Sequence, residues 1–472
     1  MRPSPISLLA LSAVALAAKA QKATPERPNI IFILADDMGY GDLSCYGSRH
    51  VKTPNIDRLS SEGTTFTQCY AGSGISSPSR CSLMTGLSTG HSRIRDNQCP
   101  VGGRVGIKIN PKGDTTYIHR TNLMAEDITL GTMLSAAGYR TCLVNKWHLD
   151  GYDPEAAPHH RGFHEFHGWT ISTVHSNSPY YYPYYRFDGD QLVNIRENRN
   201  DRHIRHNTDI STDDAIAFID RQQQADNPFF LFLAFDAPHE PYIIDEKTWR
   251  WPDINESFAS DKEKQNAQRY AALIEHMDAA VGRLMAHLQK RGLAENTLII
   301  FASDNGAAIQ APLPQLNCNG GFRGQKAQLY EGGIRVPLIV YQPGRVPQRR
   351  LENIVYFPDF MPTLAAISKK SPLPSQQKTD GIDISPLFFG GTVDTDHRML
   401  YWEFPGKQRA ARLGNWKCVT IKKNAPLELY NLKDDPGEQH NLADDYPEMV
   451  QLFDEAMHRM RTPSECWPLP GE

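Results

Sequence analysis

Apolar positions along this chain fall into short strand-like runs separated by stretches of helical periodicity. The runs recur at Ile30–Leu34, Thr141–Val144, Phe229–Phe235, Thr297–Phe301 and Val336–Tyr341. Between them the clearest helical pattern is Ile274, Met277, Val281, Leu284, Met285 and Leu288, which puts one apolar face along a helix from about Glu263 to Lys290. Strands alternating with helices predict an α/β fold, a mainly parallel central sheet flanked by helices. In such sheets, sites gather in the loops at the carboxyl ends of the strands. A Pro/Ser/Gln/Lys stretch, Lys369 to Lys378, reads as a boundary. Beyond it, short segments such as Leu427–Leu432 predict a smaller C-terminal α+β subdomain. The expected division is residues 25–368 for the larger domain and 379–472 for the smaller one.

The N-terminus changes the setting. Arg2 precedes a mostly apolar run from Ile6 to Ala17, and Ala18-Lys19-Ala20 offers small residues for cleavage. Residues 1–20 therefore read as a signal peptide, with a run too short to span a bilayer. The mature protein is expected to be periplasmic or secreted, without membrane insertion. Arg2 and Lys19 are two of only 50 basic residues, set against 54 acidic ones, so the mature chain is acidic. That balance argues against nucleic acid as a partner. Any anionic substrate must be drawn by local positive groups and metal. The 8 cysteines form no Cys-x-x-Cys pair, which argues against structural zinc. Export permits disulfides, but spacing alone leaves their connectivity open.

Candidate chemistry sits where the sheet rule puts it. Asp36 and Asp37 follow the first strand, and Asp304 and Asn305 follow a later one. Three carboxylates and an amide oxygen make a hard, oxygen-rich set of the kind calcium prefers. Asp and Asn before Gly are also ordinary turn residues. Lys146-Trp147-His148 follows the strand at Thr141, and Pro238-His239-Glu240-Pro241 follows the strand ending at Phe235. Lys326 lies ahead of Tyr330-Glu331-Gly332-Gly333-Ile334-Arg335-Val336-Pro337. Asp42 and Asp278 read as structural. The tyrosines at 180, 181, 182, 184 and 185 could stack on sugar rings, though packing is the commoner use of such a loop. Arg93, Arg95, Asp96 and Asn97 could bind substrate hydroxyls or form ion pairs among themselves.

The stretch Ser76-Ser77-Pro78-Ser79-Arg80-Cys81-Ser82-Leu83-Met84-Thr85-Gly86 is the most informative segment. It resembles the maturation signature of the type I sulfatases, Cys/Ser-x-Pro-Ser-Arg followed by Thr-Gly. The other segments stand in that family's order around it, with Asn145 and Asp150 as departures within the lysine–histidine segment. Weaker echoes continue in Leu413-Gly414-Asn415-Trp416-Lys417 and Leu429-Tyr430-Asn431-Leu432.

The resemblance implies an alkaline phosphatase-like fold and hydrolysis of sulfate esters. It makes Ser76 the precursor of formylglycine, whose hydrate is the nucleophile. It also implies one calcium ion held by Asp36, Asp37, Asp304, Asn305 and residue 76. Lys146 and Lys326 would then bind the sulfate oxygens, and Arg80 would hold the formylglycine neighbourhood. His239 would protonate the leaving oxygen, and His148 would take the second diol proton. A serine precursor resembles the variant matured by an anaerobic-type sulfatase maturation enzyme, an expected partner. Export favours a sulfated carbohydrate as substrate, with the sugar and ring position open. A phosphomonoester or phosphonate ester hydrolase of the same superfamily, and a non-catalytic sulfated-glycan-binding protein, are the alternatives.

Overall fold

The computed structural model describes residues 27–99, 104–109, 115–170, 180–222, 226–369, 378–404, 408–422 and 424–468. The expected leader and most of the expected linker, residues 370–377, lie outside the described residues. The first strands are β1 (Asn29–Ala35), β2 (Thr64–Tyr70), β3 (Arg104–Ile109) and β4 (Thr115–Arg120). Next come β5 (Arg140–Lys146), β6 (Glu165–Trp169), β7 (Tyr185–Asp188) and β8 (Gln191–Asn194). Then follow β9 (Phe229–Ala234), β10 (Thr297–Ser303), β11 (Arg335–Tyr341) and β12 (Arg349–Tyr356). The last four are β13 (Met399–Phe404), β14 (Gln408–Leu413), β15 (Trp416–Thr420) and β16 (Glu428–Asn431). The main helices are α1 (Pro54–Glu62), α2 (Ser76–Thr85), α3 (Leu130–Ala136), α4 (Asn207–Gln222) and α5 (Asp261–Lys290).

Ten strands form the main sheet, in the order β12-β2-β11-β10-β1-β9-β5-β6-β7-β8. Its centre, β10-β1-β9-β5-β6, is parallel throughout. The antiparallel pairs lie to either side, β11 with β10 and β2, and β7 with β6 and β8. Both faces are covered, which is why the central strands read as unbroken apolar runs. Ile31, Ile33 and Ala35 of β1 face one layer with Ile274, Met277 and Val281 of α5. Ile30, Phe32 and Leu34 face the other, where Phe32 meets Phe360 edge-on at 5.0 Å.

The four strands β13–β16 make a separate antiparallel sheet, and β3 with β4 makes a two-stranded hairpin. A disulfide joins Cys99, beyond α2, to Cys466 near the C-terminus. No helix among the described residues is long and apolar enough to cross a membrane.

Candidate active site

Four neighbouring parallel strands, β10, β1, β9 and β5, deliver the chemistry at their carboxyl ends. β1 runs into Asp36 and Asp37, and β10 into Asp304 and Asn305, all four fully or almost fully buried. Asp37 takes a left-handed backbone, φ 62°, which Asp tolerates better than most residues. That turn aims its amide at Asp304 Oδ1, 3.1 Å away, while Asn305 Nδ2 donates to Asp37 Oδ1 at 2.8 Å. Gly306 follows directly because a Cβ there would stand 1.9 Å from the Gly332 carbonyl oxygen. The close approach packs the Asp304-Asn305 turn against the helical turn Glu331–Ile334, which follows the loop of Lys326.

Ser76 opens α2, after an extended Ile75 and with every residue of the helix buried. Its Oγ lies 3.2 Å from Asp36 Oδ1 and 3.4 Å from Asn305 Oδ1. The helix N-terminus adds a partial positive charge at this oxygen. Arg80, four residues on, falls on the same helix face. Its Nε and Nη2 reach Asp304 Oδ2 at 3.0 and 2.9 Å, and Nη2 stands 3.7 Å from Asp36 Oδ1. Its Nη1 donates to the Lys146 carbonyl at 3.3 Å. Burial works against the Arg80 charge, but Asp304 and Asp36 outweigh it and hold the guanidinium above its ordinary value.

Lys146, the last residue of β5, donates to Asp36 Oδ2. Lys326 donates to Asp37 Oδ2 at 2.6 Å and lies 3.4 Å from His239 Nε2. Burial opposes the charges of Asp36 and Asp37. Lys146, His239 and Arg80 overcome it at Asp36, and Lys326 and His239 at Asp37, so both carboxyls sit below the usual range. Burial likewise disfavours the Lys326 ammonium, yet Asp37 and Asp36 hold it above the ordinary lysine value. His239 lies between two cis-prolyl bonds, Ala237–Pro238 and Glu240–Pro241. Its Nδ1 faces the Glu240 carbonyl, which only accepts, so Nδ1 carries a hydrogen. Nε2 is then the atom that holds or releases a proton. Asp36, Asp37 and His239 each offer a donor atom within 4.8 Å of the others.

The fold thus brings Asp36, Asp37, Ser76, Arg80, Lys146, His239, Asp304, Asn305 and Lys326 together. His148, in a left-handed conformation at φ 64°, accepts the Ser77 hydroxyl on its carbonyl at 3.0 Å. Its ring Nε2 faces the Arg120 guanidinium at 3.3 Å. Asn145 also has a positive φ, 76°, a conformation open to Asn as to Gly, so this departure from the family segment leaves the turn intact.

Tyr180 is the one tyrosine of the candidate loop that reaches the carboxylates, and two further residues here, Asp236 and Arg120, had little or no signal in the sequence. Tyr180 donates to Asp36 Oδ2 at 3.2 Å and stacks on the His239 ring at 5.2 Å, whereas Tyr181 and Tyr182 are fully buried. Asp236 receives the Trp169 indole N–H at 3.2 Å and the Asn207 amide, and burial pushes it up to about 6. A carboxylate two residues past β9 matches the placement of Asp36 and Asp37, the one hint available. Arg120 ends a hairpin strand and had none. Arg93 and Arg95 are taken by ion pairs, with Glu126 and Asp127 and with Glu403. Asp42 and Asp278 are structural: Asp42 takes the Gly39 amide and Tyr270 hydroxyl, and Asp278 takes the Asn55 and Ile56 amides that open α1.

Comparison with known proteins gives this arrangement relatives. The sulfatase family model matches residues 28–369, and the model for the C-terminal part of N-sulphoglucosamine sulphohydrolase matches residues 321–464. N-acetylgalactosamine-6-sulfatase of Canis lupus familiaris is 31% identical over 432 residues, covering 87% of this chain and 74% of its own. Arylsulfatase A of Homo sapiens is 32% identical over 483 residues, covering 92% and 86%. Among solved structures, Ps i-CgsB in complex with k-i-k-neocarrahexaose superposes with a TM-score of 0.74 at 27% identity, covering 92% of each chain.

Proposed function

This chain belongs to the sulfatase family and hydrolyses sulfate esters, and from that premise we propose that it removes O-sulfate groups from a glycan, using formylglycine made from Ser76. The observation that carries the reading is the Ser76 hydroxyl, set at a helix N-terminus between Asp36 and Asn305. Asp36, Asp37, Asp304 and Asn305 offer buried oxygens, three of these side chains being carboxylates, which fits a hard cation, and His239 adds a ring nitrogen within 4.8 Å of the Asp36 and Asp37 oxygens. Asp36, Asp37, Asp304, Asn305 and the oxygen on residue 76 would hold one calcium ion, which would polarise a sulfuryl oxygen. The formylglycine hydrate would supply two hydroxyls on one carbon, one to bond sulfur and one to expel sulfate.

The chain's own side chains account for the rest. Lys146 and Lys326 sit on the outer oxygens of Asp36 and Asp37 and can turn their remaining donors to the sulfate oxygens. Lys326 and His239, each 21% exposed, stand on the open side, where the sugar must enter. The Glu240 carbonyl fixes the His239 tautomer, so Nε2 is the atom that protonates the leaving sugar oxygen. Tyr180 holds that ring in plane from one face. His148 is assigned the second proton transfer, and Arg80 pairs with Asp304 and reaches towards Asp36.

Export as a periplasmic or secreted protein is part of the proposal, and the Cys99–Cys466 disulfide supports it. So is maturation by an anaerobic-type enzyme acting on serine. The division at residues 369–378 is supported by the separate four-stranded sheet that follows it. The test is the mass of the peptide Leu59–Arg80 from natively expressed protein, which conversion leaves lighter by one hydrogen molecule. Full sulfatase activity in protein whose Ser76 is intact overturns the formylglycine mechanism.

A further inference from the structure

Each cation that touches the carboxylate cluster is already neutralised: Arg80 lies on Asp304, Lys146 on Asp36 and Lys326 on Asp37. Arg120 is different. It ends β4, on the hairpin outside the main sheet, and is half-buried. Its Nη1 meets His148 Nε2 at 3.3 Å, and its guanidinium carbon lies 5.7 Å from the centre of the Tyr152 ring. Among the described residues no carboxylate pairs with it, and its buried Nε has no hydrogen-bond partner. A guanidinium only donates, so the imidazole meets it with a neutral lone pair and leaves its charge uncompensated. Holding such a charge half out of water is costly unless a counter-ion arrives. The planar fork suits a carboxylate or sulfate, which it can grip through two parallel hydrogen bonds.

We propose that Arg120 is a specificity residue that binds a second anionic group on the substrate, a carboxylate or a further sulfate near the ester being cleaved. The inference rests on the glycan-sulfatase reading. The scissile sulfate has the two lysines beside Ser76, whereas Arg120 reaches the cluster only through His148, so it reads a different group. Tyr152, under the guanidinium, gives the sugar an aromatic edge at the same place.

The test titrates the full chain, with Ser76 unconverted and calcium present, by calorimetry against two matched ligand pairs. One pair is N-acetylglucosamine 6-sulfate and glucosamine 2-N,6-O-disulfate, in which a second sulfate stands in place of the N-acetyl group. The other is N-acetylgalactosamine 6-sulfate alone and linked to an unsaturated uronate, which adds a carboxylate. In one pair the added anion should tighten binding about tenfold, as a charge-assisted hydrogen bond does. Arg120→Met should abolish that gain and leave the singly sulfated partner within about twofold, while Arg120→Lys should keep part of it. Arg120→Gln replaces the Met variant if the latter fails to fold. The pair that responds identifies the anion. No gain in either pair, or a gain that survives in Arg120→Met, overturns the proposal alone. Failure of all four ligands to bind overturns the glycan reading with it.

Discussion

Lys417→Met tests how the C-terminal sheet supports the active site. Lys417, on β15, is fully buried and lies 2.9 Å from Glu331 and 2.9 Å from Glu438. Glu331 directly follows the loop of Lys326, so this cluster fastens that loop to the smaller sheet. Burial works against the Glu331 charge, but Lys417, Arg335 and Arg412 outweigh it and hold its carboxyl low. Burial, with the nearby Glu331 charge, pushes Glu438 up to about 7 despite Lys417. Removing the one cation between two buried carboxylates should cost about 3–5 kcal/mol at pH 8. The pH dependence fixes the cause. A carboxyl raised on folding binds more protons folded than unfolded, so its contribution to stability falls as pH rises from 4.5 towards 7. Without Lys417 the window extends upward, and the mutational loss grows by about 1.4 kcal/mol for each pH unit between 7 and the new pKa. Urea unfolding of both proteins at pH 6 and pH 8, followed by tryptophan fluorescence, reads the difference. Glu438→Gln added to Lys417→Met should recover a large part of the loss. An equal loss at the two pH values, or no recovery from Glu438→Gln, refutes the argument.

Three further expectations concern the site and its frame. His239→Ala should slow a sugar sulfate by about a hundredfold or more, the scale of a lost general acid; an activated aryl sulfate should suffer far less, and equal losses would make His239 a binding group. Asp304→Asn should lower activity, and it should also remove the rise in melting temperature that the proposed calcium site predicts for the wild type on adding the ion. Because it also strips Arg80 of its main partner, the metal-free variant should melt lower, and an unchanged melting point would contradict the buried ion pair. Cys99→Ser releases a covalent link between positions 367 residues apart and should cost about 2–5 kcal/mol, read as a lower urea midpoint with activity kept in the folded protein.

The central strands were legible because burial on both faces forces unbroken apolar runs, and α5 because one apolar stripe repeats along it. That the centre is parallel was legible, but which strands run against it was not. The run at Val336–Tyr341 looks like its neighbours yet pairs antiparallel with β10. Strand β2, Thr-Thr-Phe-Thr-Gln-Cys-Tyr, and strand β12, with two arginines, a glutamate and an asparagine, hide among polar residues. They border the smaller sheet, and Gln68 of β2 accepts from Arg412 of β14, a contact no local pattern encodes. Strands β7 and β8 are short, the first half-buried and the second exposed, so neither burial nor periodicity marks them.

The site divides along the same line. Asp36, Asp37, Asp304 and Asn305 were visible as polar groups at strand ends, a property of the segment that carries them. Which cation meets which carboxylate depends on strand order, and no segment carries that information. Lys146 finds Asp36 across 110 residues and Lys326 finds Asp37 across 289. Each buried carboxylate takes one cation, Arg80 for Asp304 and a lysine for each of the others, so the cluster as folded is nearly neutral. One-for-one pairing makes an acidic chain compatible with an anionic substrate. The carboxylates that would hold a dication are already balanced, and the charge of any bound cation is left over to attract the sulfate ester. Replacing a single lysine by a neutral residue would remove both a proposed sulfate ligand and the balance, which is why Lys146 and Lys326 must be judged by affinity for sulfate as well as by rate.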